Sequence, residues 1–382
     1  MAVSPMLSRT LRGLVASGLL TLAWAAAANN AVAQTSGFVY TSTNASSGNQ
    51  LLGWSRGADG ILTSLPGSPF STQGTGNDNN IPAQGTVVFG PGYKFLYVAN
   101  PGSNDVTSFS VARNGNLTFV NRVTTAINGG TLPKSVSVSP DGKYLYAVNG
   151  LHSNIVGFTI NATTGALTSI ANSSRPLSSG TFVEPCQIGF SPNGKFIVVT
   201  EILTSKIDTW GFNSSTGLPT TVAKVQNSAG PQPFGFSFDK AGHLVVSEMT
   251  ASTVSTYSIA PNGTLTLISN QVPDNGSQAC WVAITNNKSF PQQYALITDT
   301  ASRTLSVYGL NPDGSVTLLH SLIPTPLSPT DEALSIDNSF MYVRDGNANE
   351  LSVWSISSDG TPTQIDPPVA GLPTNGLGMA AR

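Results

Sequence analysis

Charge is scarce in this chain. Of 382 residues, 17 are Lys or Arg and 19 are Asp or Glu, so charged side chains make up 9%, against roughly 25% in an average soluble domain. With a net charge of −2 nothing points to a cationic phosphate-binding surface, and no nucleic-acid partner is expected. Two cysteines are too few for a disulfide framework. With three histidines, no metal-binding His or Cys spacing, Walker loop or GxSxG elbow occurs. "GTGNDNN" lacks the flanking strand and helix of a phosphate cradle. Beyond the first residues no apolar run is long enough to span a bilayer. Disorder is excluded as well, because β-branched and aromatic residues are spread throughout and no charged block interrupts them.

The N-terminus stands apart. Arg9 and Arg12 precede an apolar run from Leu14 to Ala28, and the small-residue site "AVA" follows at Ala31 to Ala33. This is the layout of a secretory signal peptide; an uncleaved anchor is the alternative, though the run is short for a stable span. Residues 1–33 are expected to be a leader, with no stable membrane insertion after cleavage, and residues 34–382 to be a secreted or periplasmic protein.

The remainder is a repeat. "TVVFGPGYKFLYVANPGSNDVTSFSVARNGNLT" from Thr86, "SVSVSPDGKYLYAVNGLHSNIVGFTINATTGALT" from Ser135 and "QIGFSPNGKFIVVTEILTSKIDTWGFNSSTGLPT" from Gln187 align by eye. Weaker copies start at Gly235, Trp281 and Ala333, and a partial one at Gly37. A period of roughly 40–50 residues is that of propeller blades. Within a copy, runs such as "YLYAV" alternate with a period of two, and "SPDGK" and "NGNLT" mark tight turns, the latter with Asn-Gly supplying positive φ. Each copy is therefore a four-stranded antiparallel unit, strands A to D, which must stack around an axis to bury its faces. The partial copy lacks strand A, and "NGLGMAAR" at the C-terminus resembles a strand A with no strand B. The chain is thus expected to be all-β, a seven-bladed β-propeller closed by its C-terminal strand completing blade one. "STQGTGNDNNIPAQ", Ser71 to Gln84, is a long polar loop between blades one and two.

The repeat sorts residues by face. The loops before strand A and after strand B share the upper face. The ends of strand B read Asn100, Asn149, Glu201, Glu248, Asp299 and Asp345, so four consecutive blades carry a carboxylate where earlier ones carry an amide. The starts of strand A add Gln84, Lys134, Glu184, Gln187, Trp281, Asp331 and Glu332; neighbouring loops add His152, Lys206, Arg303 and Arg175. One reading is a polar pocket at the channel mouth. There Glu201 or Glu248 would activate water and His152 relay a proton, while Arg303 or Arg175 would hold a carboxylate or an oxyanion, with Gln187, Trp281, Asp299, Asp331 and Asp345 in contact with substrate. The other is that polar strand ends cap loops and face water. Opposed carboxylates are also the oxygen ligands Ca²⁺ takes, although no DxDxDG loop accompanies them; no other cofactor or metal is indicated. Cys186 and Cys280 fall at equivalent places two blades apart, roughly 12 Å, against the about 5.5–6 Å between Cα atoms that a disulfide needs. Two free, buried thiols are expected.

"FLYVAN" and "SPDGKYLYAVN" resemble the YVTN repeat of lactonase-type seven-bladed propellers. "FIVVTE…PFGFSFDKAGHLVVSEM…QACWVAIT…PTDEALS" resembles an exported bacterial and fungal branch of that family. The resemblance spans almost the whole of residues 34–382. It implies a relative of 6-phosphogluconolactonase and carboxymuconate cyclase, hydrolysing or forming a small polar or carboxylated lactone; the small-molecule substrate is expected to be bound by a monomer. Those enzymes bear an "HxH" at the start of blade four and a "DLGxD" loop after its strand B. Here the places read "PCQ", Pro185 to Gln187, and "TEILTS", Thr200 to Ser205, so the acidic position survives only as Glu201. A non-catalytic binding or surface-interaction propeller is the alternative, since this fold hosts many functions.

Overall fold

The computed structural model describes residues 37–179, 182–286 and 290–382. The leader expected over residues 1–33 lies outside them. Seven antiparallel sheets follow one another in chain order, each a meander running outward from strand A to strand D. In blade four these are Pro185–Phe190, Phe196–Glu201, Lys206–Asn213 and an outer strand in two pieces, Leu218–Pro219 and Lys224–Asn227. The innermost strands of successive blades pack side by side around the ring. Among the described residues the one helical turn is Pro91–Tyr93.

The ring closes as the sequence suggests. Leu377–Ala381 pairs antiparallel with Gly37–Ser42, setting Tyr40 opposite Ala380 and Thr41 opposite Met379. Phe38 and Arg382 exchange both backbone hydrogen bonds, at 3.1 and 2.9 Å. The last strand of the chain is thereby the first strand of blade one, and neither terminus leaves a ladder edge open.

Between blades the alternation of strands A to C buries continuous apolar layers. Tyr97, Ala99 and Val106 of blade two, for example, pack on Leu145, Val156 and Phe158 of blade three. A second device recurs at the lower rim. The residue at or near the start of strand B is aromatic or His, and its ring lies on the glycine of the next blade's C–D turn. A Cβ on Gly115 would stand 2.3 Å from Phe38, on Gly165 2.3 Å from Phe95, on Gly217 2.4 Å from Tyr144 and on Gly314 2.5 Å from His243. On Gly360 it would stand 2.6 Å from Tyr294 and on Gly60 2.4 Å from Phe340. These turns have positive φ, from 73° to 87°, so glycine is required twice over, by backbone and by the approaching ring. At the junction of blades four and five the ring stands off: Phe196 is 3.8 Å from the same point on Gly263.

One local feature aims residues at the axis. Strand A is bulged in blades four, five and six, between Pro185 and Ile188, Pro233 and Phe236, and Ala279 and Val282. The extra residue breaks the pleat and turns side chains out of the sheet. The pairs Cys186–Gln187, Phe234–Gly235 and Cys280–Trp281 lie in these bulges.

Candidate functional site

The upper end of the channel is closed by the protein's own chain. The loop between blades one and two folds first over blade one. There Asn44 donates to Asn77 Oδ1 and to the Asn79 carbonyl, both at 3.0 Å, and its Oδ1 accepts the Asn77 N–H at 3.1 Å. The loop then crosses the axis. Gln84 Nε2 donates to the Val282 carbonyl at 2.9 Å, and Gln84 Oε1 accepts the Val282 N–H at 3.1 Å. The Trp281 indole N–H donates to the Ala83 carbonyl at 2.8 Å, and the Gln84 N–H to the Cys186 carbonyl at 3.3 Å. A Cβ on Gly235 would stand 2.1 Å from Gln84 Oε1, so the bare backbone of blade five is what lets the strap pass. Below it a cavity of about 210 Å³ remains, lined by Gly85, Val136, Gln187 and Phe236 among others. An open polar mouth was the expectation. Backbone of Ala83 and Gln84, satisfied by the bulged strands, occupies it instead.

Trp281 therefore anchors the strap, with its ring 4.9 Å from that of Phe234. Gln187 ties blades four and five: its Nε2 donates to the Phe236 carbonyl at 2.9 Å and its Oε1 accepts the Phe236 N–H at 2.7 Å. Cys186 and Cys280 are buried and unpaired in the same cluster. Burial pushes the Cys280 thiol up to about 12 and that of Cys186 well above the usual range.

The strand-B ends are wholly buried. Glu201 accepts from the Ser178 N–H at 2.9 Å, the Ser178 hydroxyl at 2.5 Å and the Thr204 hydroxyl. Glu248 accepts from the Gly230 N–H at 2.6 Å, the Thr253 hydroxyl at 2.5 Å and the Ser228 hydroxyl at 3.1 Å. Asn149 does the same work with an amide, donating to the Thr125 carbonyl at 3.0 Å and to Asn154 Oδ1 at 2.8 Å. In each case the partners lie on the segment crossing from the previous blade and on the hairpin turn or strand C. The polar strand end thus staples the crossing to its own blade. The open position expected for Glu201 and Glu248 at a channel mouth is not what the structure has, because their acceptor sites are filled by donors of the fold.

Asp299 accepts from Ser306 at 2.7 Å and Thr304 at 3.2 Å. Burial first, then the charge of Asp274 beside it, pushes Asp299 up to about 9. Asp345 accepts from Ser352 at 2.7 Å and is pushed up to about 7 by burial. Asp208 on strand C of blade four is held at about 8 by burial and by the charge of Glu201. Near the axis Asp331 Oδ1 accepts the Glu332 N–H at 2.8 Å, while Asp331 Oδ2 and both Glu332 oxygens have no hydrogen-bond partner among the described residues. Burial drives both carboxyls well above the ordinary range, with the charge of Asp331 adding to the effect on Glu332. Neutral acids tolerate such sites; carboxylates do not. Among the described residues no three His, Cys, Asp or Glu side chains gather as a metal site would require.

The three remaining candidates lie apart. Arg175 is not at the mouth. It sits on the outermost strand of blade three, opposite Ile155, and its guanidinium donates at 2.8–2.9 Å to the carbonyls of Asn172, Ser174, Pro219 and Thr220. Arg303 occupies a left-handed position, φ 62°, in the exposed B–C turn of blade six. His152 is in the B–C turn of blade three, exposed, with φ 48°, so the two face the upper side from opposite parts of the ring. His152 lines a cavity of about 330 Å³ with Thr131, Leu151 and Phe182. On the strand that begins at Thr131 stands Lys134, which is 2% exposed. Burial lowers its pKa, partly countered by Cys186 and Glu184. The repeat gave Lys134 its place on the upper face, but its burial depends on the packing of blades three and four.

Residues 58–185 match the family model described as "Lactonase, 7-bladed beta-propeller". The chain is a seven-bladed propeller, and over that third of its length it is similar to the lactonase family. Two solved structures share the fold of this propeller. The periplasmic gluconolactonase of Pseudomonas aeruginosa is 19% identical with a TM-score of 0.68, the match covering 89% of this chain and 98% of that one. A protein from Lactobacillus plantarum is 14% identical with a TM-score of 0.71, the match covering 91% and 99%. At these identities the likeness speaks for the seven-bladed fold alone.

Proposed function

We propose that this lactonase-type propeller is exported, as residues 1–33 suggest, and acts as a monomer on a small polar or carboxylated lactone, hydrolysing or forming it at the upper face between blades three and four. The carrying observation is the 330 Å³ cavity that holds His152, a size within the range of small-molecule sites. In this reading His152 is the general base that activates water, Phe182 and Leu151 cover the apolar part of the lactone ring, and Lys134 and Glu184 at the adjoining strand starts set the local field. Glu201 and Glu248 hold the surrounding loops and do not touch the substrate. No metal ion or cofactor enters the scheme.

The strapped channel favours a second reading, a propeller that binds without catalysis, because Ala83 and Gln84 fill the place where an axial substrate would lie. A panel of γ- and δ-lactones, with and without a carboxylate, followed by acid release at constant pH, separates the two. The catalytic reading expects turnover of at least one lactone and a fall in kcat of about 10²-fold or more in His152→Gln at unchanged melting temperature. Absence of turnover across the panel, or full activity in His152→Gln, defeats it.

A further inference from the structure

We infer that the open junction between blades four and five, on the lower face, is a ligand site for a carboxylate carried on a flat apolar ring. It is independent of the upper-face reading. Six of the seven blade junctions are locked by a ring seated 2.3–2.6 Å from the Cβ position of the next blade's turn glycine, and the seventh is not, with Phe196 3.8 Å from that point on Gly263. A groove opens at this junction. Its cavity of about 640 Å³ is lined by Phe196 and Phe212 on blade four and by Ile259 and Pro261 on blade five.

The outer strand of blade four leaves room beside the withdrawn ring. It stops at Pro219 and resumes at Lys224, so the edge of strand C near Gly211 is covered only by Thr220. Blades one and three also have outer strands in two pieces, but there Phe38 and Tyr144 seat on the next blade's glycine, so the groove needs both the broken strand and the withdrawn ring. The groove floor is firm, because Phe212 belongs to an edge-to-face cluster, 4.9 Å from Phe190, 5.5 Å from Tyr144 and 5.8 Å from Tyr146. Aromatic walls at such spacing favour a planar guest meeting ring edges or faces.

Charge selects the guest further. Lys195 lines the groove and is exposed, and among the described residues it makes no ion pair. Lys224 lies beside Gly263, next to Phe196. No Asp or Glu lines the cavity. An apolar floor with a free cation at its rim matches an amphipathic anion: the ring lies against Phe196 and Phe212, and the carboxylate meets Lys195.

The test is titration of the purified protein with naphthoate and with naphthalenemethanol, its neutral analogue, by calorimetry. The wild type should bind naphthoate more tightly than the alcohol. Lys195→Gln should weaken naphthoate by about fivefold, the worth of one exposed ion pair of about 1 kcal/mol, and leave the alcohol unchanged. Leu218→Trp, which fills the groove from its lining, should abolish both, with the melting temperature checking that the variant folds. His152→Gln should change neither, which separates this site from the upper one. No heat of binding in the wild type, equal binding in Leu218→Trp, or a concentration-dependent dimer that naphthoate does not dissociate would each overturn the inference.

Discussion

Glu201→Ala is the perturbation on which the upper face can be judged. The carboxylate accepts three donors, the Ser178 N–H, the Ser178 hydroxyl and the Thr204 hydroxyl, at a fully buried position. Removing it orphans them. Each part-buried donor left unpaired costs about 1–2 kcal/mol, and the side-chain void adds about 1 kcal/mol. One term offsets these: the charge of Glu201 is the second cause holding Asp208 near 8, and its removal relieves that repulsion. The net loss is about 3–5 kcal/mol. For a ring of this size that corresponds to a fall in melting temperature of about 4–7 °C. Glu201→Gln keeps one oxygen for the Ser178 N–H, and its amide meets hydroxyls that can rotate to accept, so its loss is about 1–2 kcal/mol. The assay is scanning calorimetry alongside the lactone panel. Stapling predicts that both variants lose stability in that order while the folded protein keeps its kcat. A Glu201→Gln protein with the wild-type melting temperature and no turnover would refute the reasoning and return the carboxylate to the chemistry.

Three further outcomes follow from the same geometry. Asp208 is held neutral, its pKa raised from 3.8 to about 8, so its contribution to stability is complete below pH 3.8 and is lost as pH rises through 8. Between pH 5 and pH 8 this group alone costs about 4 kcal/mol at about 1.4 kcal/mol per pH unit, and Asp208→Asn should flatten urea-derived stability over that window; an unchanged slope would count against a buried neutral acid. Gln84→Ala should release the strap, exposing the Val282 N–H to faster hydrogen exchange and shifting Trp281 fluorescence to the red, whereas unchanged protection would mean that the strap is held elsewhere. Gly115→Ala, whose methyl would meet Phe38 at 2.3 Å in a left-handed turn, should cost about 2–4 kcal/mol. Gly263→Ala, where the ring stands off and the nearest neighbour of the methyl is Thr209 Oγ1 at 3.3 Å, should cost little beyond the backbone share of about 1–2 kcal/mol, and equal losses in the two would show that junction four–five is locked after all.

How far the site was legible can be judged from particular residues. The run of Glu201, Glu248, Asp299 and Asp345 is visible as a departure from Asn100 and Asn149 at one repeat position, and five of the six end strand B, while Asn149 stands two residues before the end of Tyr144–Leu151. Their partners are not visible, because Ser178, Ser228 and Gly230 belong to crossing segments whose lengths vary between blades and fall outside the repeat. Arg175 illustrates the same limit. Expected in the loop from blade three to blade four, it lies on the second piece of blade three's outer strand, at the rim, where four carbonyls hold it.

The sequence by itself determined the all-β class, the seven blades and the closure by the C-terminal strand, because a period of two within a period of roughly 40–50 residues leaves no other way to bury each sheet. It also determined the turn glycines, since Asn-Gly and its variants encode positive φ locally. Tertiary structure alone decided what the upper face became. Strand bulges turned Gln187 and Trp281 toward the axis, the polar loop that ends at Gln84 entered it, and stapling consumed the carboxylates. It alone left one of seven interlocks open. Each of these depends on distances between blades that are far apart in the chain, and a repeat pattern, being local, carries no record of them.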